Sequence, residues 1–214
     1  MNLKKINSQE PPIHNRLNVV PFQSSLEDKS LLIAAQAAIQ LQTNLLKSSI
    51  SYAQSINGSL ILKTTLKHTL EILTQYSDTA EGSIFLIDED GAIVESILAR
   101  SPVNRDLKDS VISKVLDDGL AGWTLRHRQI GLIYDATIDD RWVQLPNQPY
   151  DARSALAVPL IYGIDVIGII TLTHPNPNHF DEELAMVMQY SMEIITGIIV
   201  NAQLHAKYKL LDLV

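Results

Sequence analysis

The sequence predicts an α+β domain behind a long N-terminal helix, and three observations carry that expectation. A helical apolar period runs without Gly or Pro from about residue 26 to Asn57, two turn-flanked pairs of apolar strands follow, and a second helical period closes the chain from Asp181. With 214 residues, 46% of them hydrophobic and 19% charged, the chain has the composition of a globular protein and the length of one domain with an appendage.

Residues 1–25 place Pro11, Pro12 and Pro21 among Asn, Ser and Gln with no apolar period, so they read as a flexible or extended arm. Ser25 with Asp28 three residues on resembles a capping pair, and the helix of residues 26–57 follows. Its apolar positions Leu31, Ala34, Ala38, Leu41 and Leu45 alternate steps of three and four, beside a second stripe of Leu32, Ile39, Leu46, Ile50 and Ala53. Two stripes ask for two partners: the helix's own domain and a second subunit. The expected dimer contacts are Leu31, Ala34, Ala38, Leu41 and Leu45, with Val187, Ser191, Ile194, Ile198 and Ala202 of the last helix, which keeps a seven-residue rhythm. The alternative is a helix that simply wraps its own domain. Asn57-Gly58 is a helix stop, and a second helix runs from Ser59 to Tyr76 with Leu60, Leu62, Leu66, Leu70 and Leu73 inward.

After Tyr76 the period changes to that of strands. Gly82–Asp88 and Ala92–Ala99 flank a turn ending in Asp90-Gly91, whose glycine supplies the positive φ of a hairpin. Residues 107–118 return to a helical pattern, with Leu107, Val111, Val115 and Leu116 inward. Gln129–Tyr134 is a short strand, and a polar segment from Asp135 to Asp151 is longer than ordinary structureless connections. Two apolar strands, Ala155–Ile161 and Val166–Thr173, surround Tyr162-Gly163-Ile164-Asp165. Pro159 implies a local edge or a bulge, because it has no N–H for the ladder. The closing helix is capped within Asn178–Asp181 and carries Glu182 and Glu183 at its dipole-positive end.

Composition excludes several functions. The absence of cysteine removes disulfides, thiolate metal sites and thiol catalysis. A formal charge of −7 with scattered basic residues, clustered only at Arg126-His127-Arg128, argues against a nucleic-acid partner. The lysines near the N-terminus have no apolar stretch behind them, and Gln189, Glu193 and Asn201 interrupt the apolar C-terminal run, so the expectation is a cytoplasmic protein without a membrane span. His174 and His179 lack the spacing of a metal pair, and no P-loop, nucleophile elbow or Ser-His-Asp order occurs, so no enzyme is expected.

Five strings in order resemble the GAF domain family: Gly82-Ser-Ile-Phe-Leu-Ile-Asp-Glu-Asp-Gly91, Gly119-Leu-Ala-Gly-Trp-Thr124, Tyr134-Asp-Ala-Thr-Ile-Asp-Asp-Arg-Trp142, Arg153-Ser-Ala-Leu-Ala-Val-Pro-Leu160 with Val166-Ile-Gly-Ile-Ile-Thr-Leu172, and Phe180-Asp-Glu-Glu-Leu with Asn201-Ala-Gln-Leu204. The resemblance implies a central antiparallel sheet of five to six strands over residues 58–206, with residues 207–214 as the end of the last helix. It also implies a pocket between the sheet and residues 105–153, covered by the Asp135–Asp151 segment. Candidate lining residues are Trp123, Tyr134, Asp135, Asp140, Arg141, Trp142, Arg153, Ser154, Thr171 and Thr173. Against a binding role, Trp123 fills core space, and Asp135, Arg141 and Arg153 form a structural ion network; Arg153, entering an apolar strand, needs a carboxylate from Asp135, Asp139 or Asp140. The Asn-Lys pair of cyclic-nucleotide-binding members is missing, and the cysteines that the family's bilin binders and sulfoxide reductases use are absent.

The function expected from this resemblance is a non-enzymatic sensory or regulatory module that holds a small molecule non-covalently, with no assigned cofactor, and signals through the paired terminal helices of a homodimer. The alternative is a ligandless scaffold that dimerises and binds a partner protein, with a downstream output domain as a further expected partner.

Overall fold

The computed structural model describes residues 26–53, 61–79, 81–99, 114–144 and 151–211. The elements are α1 (Leu26–Ala53), α2 (Ile61–Tyr76), β1 (Glu81–Ile87), β2 (Ile93–Leu98), α3 (Leu120–His127), β3 (Gly131–Ile133), β4 (Ser154–Tyr162), β5 (Asp165–His174) and α4 (Glu182–Leu211). The expected arm of residues 1–25, the helix stop at Asn57-Gly58 and residues 107–113 lie outside the described residues; residues 114–118 are helical and lead into α3.

The five strands form one antiparallel sheet in the order β2-β1-β5-β4-β3. Both hairpins have the glycine geometry their turns require, Gly91 at φ +80° and Gly163 at φ +61°. Pro159 pairs with Ile169 of β5, while β3 reaches only as far as Ala157 on the other side. The missing N–H therefore falls where β4 is locally an edge, one residue before the register shift at Leu160/Ile161.

Alternation along the strands divides the core in two. Ile84, Leu86, Leu156, Val158, Leu160, Ile170 and Leu172 face α1, α2 and α4, and around them lie Leu41, Leu45, Leu66, Leu70, Leu73, Ile195 and fully buried Phe180. Phe85, Ala155, Ala157, Ile169 and Ile133 point the other way, toward Leu120 and Ala121 of α3 with Trp142 and Ala136 from the following loop.

This packing corrects the expected dimer face. Ala34, Ala38, Leu41 and Leu45 of α1 and Val187, Ser191 and Ala202 of α4 are buried within the chain itself. Their stripes face each other and the sheet, so a second subunit has no access to them. Leu31 is exposed, and Ile194 and Ile198 are half-buried. The outward stripe of α1 is instead the second one, with Leu32 59%, Ile39 62% and Leu46 43% exposed. By length and composition α4, over Glu182–Lys207, is the one helix among the described residues able to cross a membrane. In this fold it packs against α1, α2 and β4 and presents Gln189, Glu193 and Asn201 to the outside.

Candidate functional site

The sheet face opposite the long helices sets a row of mostly small residues among larger apolar ones. Register places Leu98, Ser83, Thr171, Ala157 and Gly131 in one row across all five strands. Neighbouring rows carry Phe85 with Ile169, and Thr173 with Ala155 and Ile133. The Thr171 Oγ1 and the Thr124 Oγ1 of α3 are buried, and neither has a hydrogen-bond partner among the described residues. A buried hydroxyl without a partner loses the full value of its hydration, so a ligand that supplied a partner would recover it.

Helix α3 is set close to this face by glycine. A Cβ at Gly122 would lie 1.7 Å from the carbonyl oxygen of Leu116, and one at Gly131 would lie 2.6 Å from the Thr124 Oγ1. The helix ends at Arg128 in the left-handed region, its N–H donating to the carbonyl of Thr124 at 2.8 Å. The basic trio is consumed structurally: Arg126 Nη1 donates to the carbonyls of Leu116 and Asp117, His127 Nδ1 meets that of Trp123, and Arg128 donates to that of Ile164.

The loop after β3 is tied down by two bidentate ion pairs. Arg153 donates from Nε and Nη2 to Asp135 at 3.0 and 2.7 Å, and Asp135 also accepts from the backbone and hydroxyl of Thr137. The Arg153 bonds, followed by those from Thr137, hold the Asp135 carboxyl far below the usual carboxylate range. Arg141 grips Asp139 in the same bidentate manner, at 2.9 and 2.7 Å, and Nη2 also donates to the carbonyl of Leu132 at 2.8 Å. That pairing holds Asp139 below, and Arg141 above, its ordinary value. The Arg141 guanidinium lies 5.0 Å over the Trp123 ring, whose centroid is also 4.4 Å from the stacked ring of His127.

Of the expected site residues, Trp142, Thr171 and Thr173 are brought to this face, Trp123 of α3 lies against Arg141 and His127, and the Asp135–Arg153 pair fastens the loop's start. Asp140 is exposed in the loop. Two are placed elsewhere. The exposed Tyr134 side chain donates to Glu182 at the start of α4, 3.3 Å away, because it follows inward-facing Ile133 and so points from the opposite side. Ser154 precedes Ala155 and for the same reason faces away, fully buried, donating to the carbonyl of Asn176 at 2.9 Å. Asp135, Arg141 and Arg153 act as the ion network, with Asp139, not Asp140, as the second carboxylate. Ser83, Ala157 and Thr124 were not legible as site residues, because their positions follow from strand register and helix docking.

The family model of the GAF domain matches residues 62–198. The chain belongs to the GAF domain family. The Acinetobacter phosphoenolpyruvate-protein phosphotransferase GAF domain is similar at 20% identity and TM-score 0.54, over 76% of this chain and 94% of that one. The corresponding GAF domain from Coxiella burnetii gives 16% identity and TM-score 0.58, over 82% and 97%. Free methionine-R-sulfoxide reductase from Neisseria meningitidis, solved with its substrate, gives 14% identity and TM-score 0.56, over 84% and 95%. At these identities the likeness is one of fold. A comparison with curated proteins finds no match.

Proposed function

We propose that this GAF chain is a cytoplasmic, non-enzymatic regulatory module that holds a small molecule non-covalently against the α3 side of its sheet and transmits occupancy through α1 and α4 of a homodimer. The observation that carries the reading is the two-sidedness of the sheet. One face has a row of small residues, Ser83, Thr171, Ala157 and Gly131, with a buried Thr171 hydroxyl that has no partner among the described residues, and the other carries the helices that would report a change. The absence of cysteine supports a binding role over the sulfoxide chemistry of the reductase relatives.

Dimerisation is supported by rows left over after folding. Leu32, Ile39 and Leu46 repeat every seven residues on α1, as do exposed Tyr190, Gly197 and Leu204 on α4. Gln42, on the same side as Ile39 and Leu46, donates from Nε2 to the carbonyl of Tyr190, so the two rows run beside one another. A thermal-shift screen of nucleotides, haem, bilins, amino acids and 2-oxoacids tests the ligand. A saturable rise in melting temperature with one class, abolished when Thr171 and Trp142 are enlarged or removed, is the expected result; no shift with any class refutes binding by these compounds.

The ligandless scaffold is favoured by one observation. Trp123 already lies between Arg141 and His127, and both arginines of this face are neutralised by carboxylates. In that reading the screen is silent while the dimer persists.

A further inference from the structure

The link between β5 and α4 contains a pair of histidines that the sheet face does not use. Their rings stack with centroids 3.5 Å apart and planes 11° apart, and His179 also meets the buried ring of Phe180 edge-on at 5.0 Å. His174 Nδ1 accepts the backbone N–H of Asn176 at 3.1 Å, so that nitrogen carries no proton. His179 Nε2 lies 2.7 Å from the carbonyl of Ser77, just beyond α2, and donates to it. The same link is fixed by Ser154 Oγ donating to the Asn176 carbonyl, Asn178 N–H donating to that of Tyr134, and Arg153 N–H donating to that of His174. Asp181 then caps α4, its Oδ1 accepting from the N–H of Leu184 at 2.9 Å. The stacked rings thus sit where α2, three strand ends and the first turn of α4 converge.

We propose that His174 and His179 form a proton-operated latch between the sheet and α4, closed while both rings are neutral and loosened when acidification charges them. Charging His174 at Nδ1 removes the acceptor for Asn176, and charging both rings sets like charges about one ring thickness apart. The surrounding groups are mixed. Asp78 at the end of α2 favours a charged His174, and Asp181, Glu182 and Glu183 stand at the start of α4, while the Asp135–Arg153 pair is neutralised at the start of β4. Tyr76 and Tyr134 stay un-ionised, held above their ordinary range first by desolvation and then by Glu183 and Glu182 respectively. Burial and then the neighbouring His179 outweigh the Asn176 backbone and Asp78, which act the other way, and hold His174 below its ordinary value of 6.5. With the folded-state value lowered, the unfolded or opened chain binds more protons, so the latch is at full strength above pH 6.5 and weakens as pH falls below it. The latch rests on α4 being held by the sheet, and on neither a ligand nor a second subunit.

The test is a titration of the full chain from pH 8 to 5.5, following the histidine ring signals by NMR and the exchange of amide hydrogens in the first turns of α4, corrected for the intrinsic pH dependence of exchange. Wild type, His174→Gln and His179→Phe are compared. In the wild type the His174 ring titrates below an ordinary histidine, and exchange at the first turns of α4 accelerates with falling pH, by at most roughly tenfold per pH unit for each extra proton bound. In His174→Gln that acceleration is lost, and in His179→Phe it is reduced. Equal acceleration in all three proteins, or a wild-type His174 ring that titrates as an ordinary histidine, overturns the proposal. If neither variant folds, the wild-type ring titration decides alone. A monomeric, ligand-free protein would still show the latch, so its failure and the failure of the sensor reading are distinguishable.

Discussion

Arg153 holds Asp135 by two hydrogen bonds, joining the second residue after β3 to the residue just before β4, 18 positions along the chain. The pair is an anchor for the loop over the α3 face. Asp135→Asn, which keeps the shape and loses the charge, should raise amide exchange across residues 135–144 while leaving the secondary structure by circular dichroism unchanged. The Asp135 carboxyl is held below its ordinary 3.8, so its contribution is complete above that value and is lost only as pH falls further. Loop exchange, corrected for its intrinsic pH dependence, should therefore be constant between pH 7 and 5, in contrast to the first turns of α4.

Gly122 has no room for a side chain. A Cβ there would overlap the Leu116 carbonyl at 1.7 Å, and backbone, unlike a side-chain tip, cannot swing aside. Gly122→Ala should destabilise the fold by about 2–3 kcal/mol, the range of overpacked cores, with denaturant unfolding as the measurement. A loss below about 0.5 kcal/mol would mean that α3 sits further from residues 114–118.

Leu41 and Ile39, two positions apart on α1, do different work. Leu41 is 1% exposed in the core shared with α4, so Leu41→Ala should cost about 2–4 kcal/mol in denaturant unfolding. A cost under about 1 kcal/mol would contradict the α1–α4 packing.

Thr171 offers a separation of binding from stability. Its hydroxyl is buried without a partner among the described residues, so Thr171→Val should be neutral or stabilising by up to about 1 kcal/mol. The same change should weaken any ligand found in the screen by roughly fivefold or more, the worth of one hydrogen bond. Loss of stability with unchanged affinity would remove Thr171 from the site.

The long helix, both hairpins and the closing helix were legible because each combines a clear period with a turn or cap of known chemistry. Gly91, Gly163 and Asp181 each occupy the special position their residue type announced. The site was legible only in part. Alternation put Thr171 and Thr173 on one face, yet Tyr134 and Ser154 fell on the other, because one step along a strand reverses the side chain and their boundaries were not fixed by the sequence. Arg153 was seen to need a carboxylate, but three aspartates were near in sequence and only loop geometry selects Asp135. On α1 the sequence shows two apolar stripes without saying which one the domain takes. The Ala-rich stripe allowed the closest approach and was claimed by α4 and the sheet, leaving Leu32, Ile39 and Leu46 outside.

In the proposed homodimer this outward row pairs two chains. Size-exclusion chromatography with light scattering at micromolar concentration tests it most directly, on wild type and on Ile39→Asp, a change at a 62% exposed position that leaves the core intact. The account predicts twice the 23.8 kDa chain mass for wild type and a folded species of single mass for Ile39→Asp. A wild-type protein at 23.8 kDa, or a variant that remains fully dimeric, would contradict it.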